Sequence, residues 1–164
     1  MMIRKLQVHA GRGSKPRGGS EKVLRIFRKA ARSKKPIRLL FSGPSGTGKT
    51  VAVALGSADM QKLVYKVSLS KLISNYIGET EKNLNAAIRK AERSNAILFF
   101  DEADALFGKR TRVRDAHKRY ANQEVSYVLN RLWRSGRDLV FWAGSLDALD
   151  RRRLRRFQEV LEIK

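Results

Sequence analysis

Eight residues, Gly43-Pro44-Ser45-Gly46-Thr47-Gly48-Lys49-Thr50, restrict what this chain can fold into more than any other stretch. They spell G-x-x-x-x-G-K-[ST], the phosphate-binding loop. A polyphosphate needs several backbone N–H groups converging on one concave turn, and Gly43, Gly46 and Gly48 bring the main chain close without a Cβ in the way. Lys49 then offers a point charge to the β and γ phosphates. Thr50 offers a hydroxyl to Mg2+ at the start of a helix whose dipole favours anions. The flanks agree with this: Ile37-Arg38-Leu39-Leu40-Phe41 reads as a strand and Val51-Ala52-Val53-Ala54-Leu55 as the helix that follows. Strand, glycine loop and helix together turn the letters into a site; without them they would be a glycine-rich turn.

A second acidic signature lies downstream. Ala96-Ile97-Leu98-Phe99-Phe100 is apolar throughout, as a strand covered on both faces should be, and it runs directly into Asp101-Glu102. That arrangement puts two carboxylates at the carboxyl edge of a parallel sheet, beside the phosphate loop. Asp101 is placed to hold the Mg2+ shell and Glu102 to orient and polarise an attacking water; the bland alternative is a surface turn after a core strand.

The remaining elements alternate. Residues 1–20 combine glycine, basic side chains and Pro16 without an apolar period and are expected to form a flexible basic arm. The core is expected over 21–164, opening with an amphipathic helix at 21–33 whose apolar side is Val23, Leu24, Ile26, Phe27, Ala30 and Ala31. Residues 56–62 read as a connection and 63–67 as a strand. From Glu79 a helix runs past Lys90 and Arg93, its acidic start and basic end matching a helix dipole. Residues 120–133 read as a helix, 139–143 as a strand ending in Gly144-Ser145, and 159–163 as a last strand. The pattern predicts an α/β P-loop NTPase fold, a three-layer sandwich with a parallel sheet of about five strands flanked by helices.

Composition narrows the chemistry. A chain of 164 residues is one domain in size. It has no cysteine and two histidines, which excludes disulfides and thiolate chemistry, predicts no zinc site and suits a reducing cytoplasm, the expected location. No apolar run is long enough to span a bilayer, so no membrane role is expected. Residues 1–20 lack acid, a composition that a plain basic arm shares with a transit peptide, and the arm is preferred. The charge of +21 should draw polyanions, and it is read either as nucleic-acid contact or as a basic surface with no dedicated partner.

Further segments carry a resemblance. Tyr76-Ile77-Gly78-Glu79-Thr80-Glu81-Lys82-Asn83, Asp104-Ala105-Leu106-Phe107-Gly108-Lys109-Arg110, Leu146-Asp147-Ala148-Leu149-Asp150 and Leu154-Arg155-Arg156-Phe157, with the two nucleotide motifs, resemble the large α/β subdomain of the AAA+ ATPases over roughly residues 37–163. The resemblance implies ATP and Mg2+ as cofactors and ATP hydrolysis in a homo-oligomeric ring or among partner AAA+ subunits. It assigns Arg155 and Arg156 as fingers reaching a neighbour's γ-phosphate, Tyr76 as a pore-loop aromatic gripping a threaded polypeptide, and Ser145 to the position where the family usually has Asn. From the residues alone, Arg155 and Arg156 read equally as part of a solvated basic run, and Tyr76 as a half-buried loop anchor. Three departures bear on affinity, turnover and ring assembly: Ser145 itself, a sequence that ends at Lys164 where the helical lid would follow, and a basic arm in place of the adenine-wrapping segment. The leading expectation is an ATPase that remodels a protein partner. Its rivals are a weakly active or inactive nucleotide-binding module with a basic nucleic-acid-binding arm, and a small-molecule or nucleotide kinase, which the water-suited Asp101-Glu102 pair disfavours.

Overall fold

The computed structural model describes residues 2–6, 18–44, 49–74, 76, 78–107, 116–147 and 149–163, with backbone alone at 18–20, 49–51, 55 and 116–124. Most of the basic arm, and Ser45, Gly46, Thr47 and Gly48 of the phosphate loop, lie outside them. The elements run β1 (Ile3–Lys5), α1 (Gly18–Ala31), β2 (Arg38–Ser42), α2 (Lys49–Asp59), β3 (Val64–Val67), α3 (Leu69–Leu72), α4 (Glu79–Ser94), β4 (Ile97–Phe100), α5 (Asp104–Phe107), α6 (Ala116–Arg134), β5 (Leu139–Ala143), α7 (Arg151–Leu154) and β6 (Glu159–Glu162).

One sheet of six strands, in the order β1-β3-β4-β5-β2-β6, divides the molecule. All pairings are parallel except the edge pair, where Ile3, Arg4 and Lys5 run antiparallel to Val67, Lys66 and Tyr65. Because strand side chains alternate, the central strands feed two separate cores. Leu98, Phe100, Leu139, Phe141 and Leu40 face the side covered by α3 to α6, where they meet Leu84, Ile88, Phe107, Val128 and Leu132. Ile97, Phe99, Val140, Trp142, Leu39 and Phe41 face the other side, under Val23 and Phe27 of α1 and Ala52 and Val53 of α2. The result is the expected three-layer sandwich.

The sixth strand is a correction. Ile3–Lys5 falls within the stretch expected to be an arm, yet it pairs with β3, and the pairing is extended by Ser68 N–H to Met2 O at 2.9 Å and Leu6 N–H to Val64 O at 3.0 Å. Three residues carrying two cations show no period; what recruits them is the open edge of β3, whose backbone groups would otherwise face water alone. The short α3 is likewise an addition to the expected elements.

The end of α2 shows a second tertiary override. Gly56 and Ser57, which read as the start of a connection, lie inside the helix, and Gly56 is where α1 packs on it. A Cβ at Gly56 would stand 2.4 Å from Cδ2 of Phe27, a fully buried ring stacked on Phe41 at 6.0 Å between centroids. The ring has nowhere to retreat. Gly56→Ala should therefore destabilise the fold by about 1–2 kcal/mol in denaturant melts, the overpacking outweighing roughly 1 kcal/mol of helix propensity gained.

Asp138 fastens the start of β5 to two other elements. Its buried carboxylate accepts from Ile37 N–H at 2.9 Å and from the Lys62 ammonium. Removing it in Asp138→Ala strands both donors, and a loss of about 3 kcal/mol is expected by the same measurement.

Candidate nucleotide site

The strand order β4-β5-β2 lays three loops side by side at the carboxyl edge of the sheet: Asp101-Glu102 after β4, Gly144-Ser145 after β5, and Gly43-Pro44 after β2. Adjacent strands stand about 4.8 Å apart, so the acidic loop and the phosphate loop are separated by roughly 10 Å, a span that a triphosphate with its cation can bridge. Two backbone bonds and one from an indole lock the three together. Gly43 N–H donates to Ala143 O at 3.1 Å, Trp142 Nε1–H to Gly43 O at 3.4 Å, and Ala103 N–H to Trp142 O at 2.9 Å.

Gly43 has a reason of its own to lack a side chain: a Cβ there would lie 2.9 Å from the carbonyl oxygen of Ile163, just past β6. The first glycine of the loop thus serves the packing of β6 on β2. Lys49 and Thr50 form the first turn of α2, so the helix opens where the motif requires it, with its orphan N–H groups toward the loop.

Asp101 is tightly held. Its Oδ1 accepts the N–H of Glu102 at 2.8 Å, and its Oδ2 lies 3.6 Å from the Lys66 ammonium on β3. Glu102 follows in the left-handed region with φ of 57°, a conformation that costs a non-glycine residue on the order of 1 kcal/mol and is maintained by the bonds on either side. Its carboxylate is exposed at the sheet edge. An open cleft of about 430 Å³ begins there, with Lys66, Ser68 and Arg4 in its wall.

The donor set fits Mg2+. Asp101 offers carboxylate oxygen at this edge, and among the described residues no three His, Cys, Asp or Glu side chains converge on one point; a carboxylate completed by hydroxyl, water and phosphate oxygens is the company Mg2+ prefers. The ammonium of Lys66 beside Asp101 shows that the position accommodates a cation.

Two positioning contacts have no counterpart among the motif residues. Asp104 turns its carboxylate onto Gly144 N–H, at 2.9 and 3.2 Å to its two oxygens, and so fixes the loop carrying Ser145 against the acidic loop. Lys66 reads from the sequence only as part of a strand. Its signal is nonetheless present, since a lysine within Val64-Tyr65-Lys66-Val67 interrupts an otherwise apolar and aromatic run. Ser145 is exposed, and its Oγ accepts Asp147 N–H at 3.3 Å.

Arg155 and Arg156 are not brought to this edge. Gln158 N–H donates to Arg38 O at the start of β2, whereas Ile163 N–H donates to Ser42 O at its end. The arginines precede Gln158 by two and three residues and lie toward the amino edge, on the order of 13 Å along the strand from the phosphate loop. Both are exposed, on a turn fastened by Asp150, whose carboxylate caps α7 at Arg152 N–H, and by the Arg153 guanidinium on Leu106 O. Tyr76 is 73% exposed, so it is not a buried anchor. Its loop is organised by Ser74, which donates to Glu79 Oε2 at 2.7 Å and accepts Tyr76 N–H at 3.1 Å. No described helix is long and apolar enough to cross a membrane.

Comparison with known proteins gives the chain a family and a fold. The family model of the ATPase family associated with various cellular activities (AAA) matches residues 39–164. An uncharacterized AAA family ATPase, y4kL, of Sinorhizobium fredii is 35% identical over 131 residues, covering 76% of this chain and 38% of that protein. A Cell division cycle protein 48 homolog of Archaeoglobus fulgidus is 34% identical over 108 residues, 65% of this chain and 14% of the relative. Among solved structures, the FIGL-1 AAA domain, crystallised in complex with ADP, superposes with a TM-score of 0.69 over 99% of this chain and 57% of that one, at 23% identity, a likeness of fold. The chain thus spans well under half the length of both curated relatives.

Proposed function

The chain belongs to the AAA family of ATPases, and from that premise we propose that it binds Mg·ATP at the β2 and β4 edge, hydrolyses it between subunits of an oligomer, and couples turnover to the remodelling of a protein partner. The observation that carries the reading is the alignment of Gly43, Asp101-Glu102 and Gly144-Ser145 on adjacent strands, together with the placement of Arg155 and Arg156 away from them.

In this reading Ser45 to Gly48 wrap the phosphates with backbone N–H groups, Lys49 neutralises the β and γ oxygens, and Thr50 and Asp101 hold the metal. Mg2+, when bound, would supply neutralisation of the phosphates' charge. Glu102 orients the attacking water and accepts its proton, with the Ser145 hydroxyl as a second contact for that water. The γ-phosphate accumulates charge that the chain's own Arg155 and Arg156 stand too far away to meet; the same pair from a neighbour supplies the guanidinium. The exposed Tyr76 ring is the contact offered to a polypeptide.

Turnover by the purified chain, followed with light scattering in the presence and absence of Mg·ATP, tests the reading. Activity that rises with assembly supports it, and Lys49→Ala should weaken nucleotide binding at least tenfold, since a charge-assisted phosphate contact is lost. Nucleotide affinity unaffected by Lys49→Ala would remove the site assignment.

A further inference from the structure

We propose that Lys66 is a resident cation of the acidic site: it neutralises Asp101 in the metal-free chain and thereby sets how strongly nucleotide binding depends on Mg2+. The inference rests on the reading of Asp101 as the carboxylate that holds the metal.

Three features of β3 make Lys66 more than a surface lysine. It sits inside the sheet, paired with Arg4 on one side and Phe99 on the other, so its backbone is held on both flanks. Its head is directed to the carboxyl edge, with Nζ 3.6 Å from Asp101 Oδ2. The side chains of Lys66 and Asp101 are only 29% and 16% exposed, so solvent screens the pair less than it screens a surface ion pair. With Glu102 N–H on Oδ1, both oxygens of Asp101 already have donors.

A divalent ion arriving at Oδ2 meets a positive charge in place. The ammonium must withdraw, and the cleft beside it gives it room: Ser68 and Ser70 line that space with hydroxyl oxygens that can accept hydrogen bonds from it, while Arg4 opposes a second cation there. Withdrawal is therefore permitted but unfavourable. In the absence of metal the same ammonium shields a polyphosphate from the Asp101 carboxylate, which would otherwise repel it. Lys66 thus strengthens metal-free nucleotide binding and weakens the metal's hold. Both effects lower the ratio between nucleotide affinity with Mg2+ and without it. A lysine that merely packed the sheet would shift both affinities alike and leave the ratio unmoved.

The test is a titration of N-methylanthraniloyl-ADP fluorescence on the full chain, in EDTA and across Mg2+ concentration, for wild type, Lys66→Met, Lys66→Gln, Lys66→Arg and Asp101→Asn. Lys66→Met should lower the Mg2+ concentration at half effect about fivefold, the scale of one partly screened ion pair, and weaken binding in EDTA. Lys66→Gln, which keeps a polar head in the cleft, should do the same, and Lys66→Arg should stay near wild type. If both neutral variants leave the Mg2+ midpoint unchanged or raised, or weaken both affinities equally, Lys66 is a packing residue and the proposal is overturned. Asp101→Asn separates the two ideas. Loss of Mg2+ dependence there with no change in the Lys66 variants overturns the proposal alone, whereas Mg2+ dependence that survives Asp101→Asn overturns the metal-site reading and the proposal with it.

Discussion

Glu102→Gln is expected to lower ATP turnover by about a thousandfold while nucleotide affinity stays within about twofold, because a positioned general base contributes roughly two to four orders of magnitude and little ground-state binding. The structure makes this substitution a clean one. Glu102 stands in the left-handed region with its amide on Asp101 Oδ1, and glutamine has the same length and backbone demands, so neither the turn nor the Asp101 contact should change. What is removed is the carboxylate's charge and its capacity to accept a proton, with the shape of the side chain kept. Glu102→Ala is a poorer probe, since it also empties side-chain volume from the wall of the cleft beside Asp101 and Lys66. Phosphate release under single-turnover conditions, set beside equilibrium nucleotide binding, reads the two quantities separately. Turnover that survives in Glu102→Gln would place the base elsewhere, and binding lost with turnover would make Glu102 a part of the nucleotide grip.

The elements that are legible in the sequence are those whose surroundings are uniform. Leu139–Ala143 is buried on both faces along its whole length, so a run of apolar residues is all the information its placement needs, and β4 follows the same logic. The placement of β1 depends on the open edge it fills, and the end of α2 depends on the Phe27 ring sitting over Gly56, neither of which is local to the segment concerned. At the candidate site, the loops are legible because the motifs have fixed spacings along the chain: eight residues for the phosphate loop, and an apolar strand ending in two acids. Asp104 and Lys66 act across strands, through Gly144 and Asp101, and no spacing along the chain encodes which strand ends up beside which. Gly43 carries a lesson of the same kind. Its place in the motif suggests that it serves the phosphate, and the structure adds the Ile163 carbonyl as the group that a side chain would strike. Tyr76 reads from the sequence as buried or exposed alike; the wiring of its loop through Ser74, Glu79 and Thr80 leaves the ring outside.

Replacing Arg155 and Arg156 together by alanine should reduce turnover by about a thousandfold, the scale of a guanidinium stabilising charge on a transferring phosphoryl group, with nucleotide affinity nearly intact. The fold should tolerate the change, since both side chains are exposed and the turn is held by Asp150, Arg153 and the buried Phe157 instead. The placement of these arginines toward the amino edge makes a stronger statement available than loss of activity. A chain carrying Arg155→Ala and Arg156→Ala still has its own Glu102, and a chain carrying Glu102→Gln still has its arginines. If the arginines serve a neighbour, the two inactive variants mixed in equal amounts must form some complete sites, with the glutamate of one chain and the arginines of the next. In a randomly mixed head-to-tail ring about a quarter of the interfaces have that composition, so turnover should recover to roughly a quarter of the wild-type rate. If the arginines instead acted within their own chain, every site in the mixture would lack one partner and no activity would return. Mixing therefore separates a shared site from a self-contained one whatever the number of subunits in the ring, and it does so through Glu102 and the Arg155-Arg156 pair, groups that the fold places at opposite edges of one sheet.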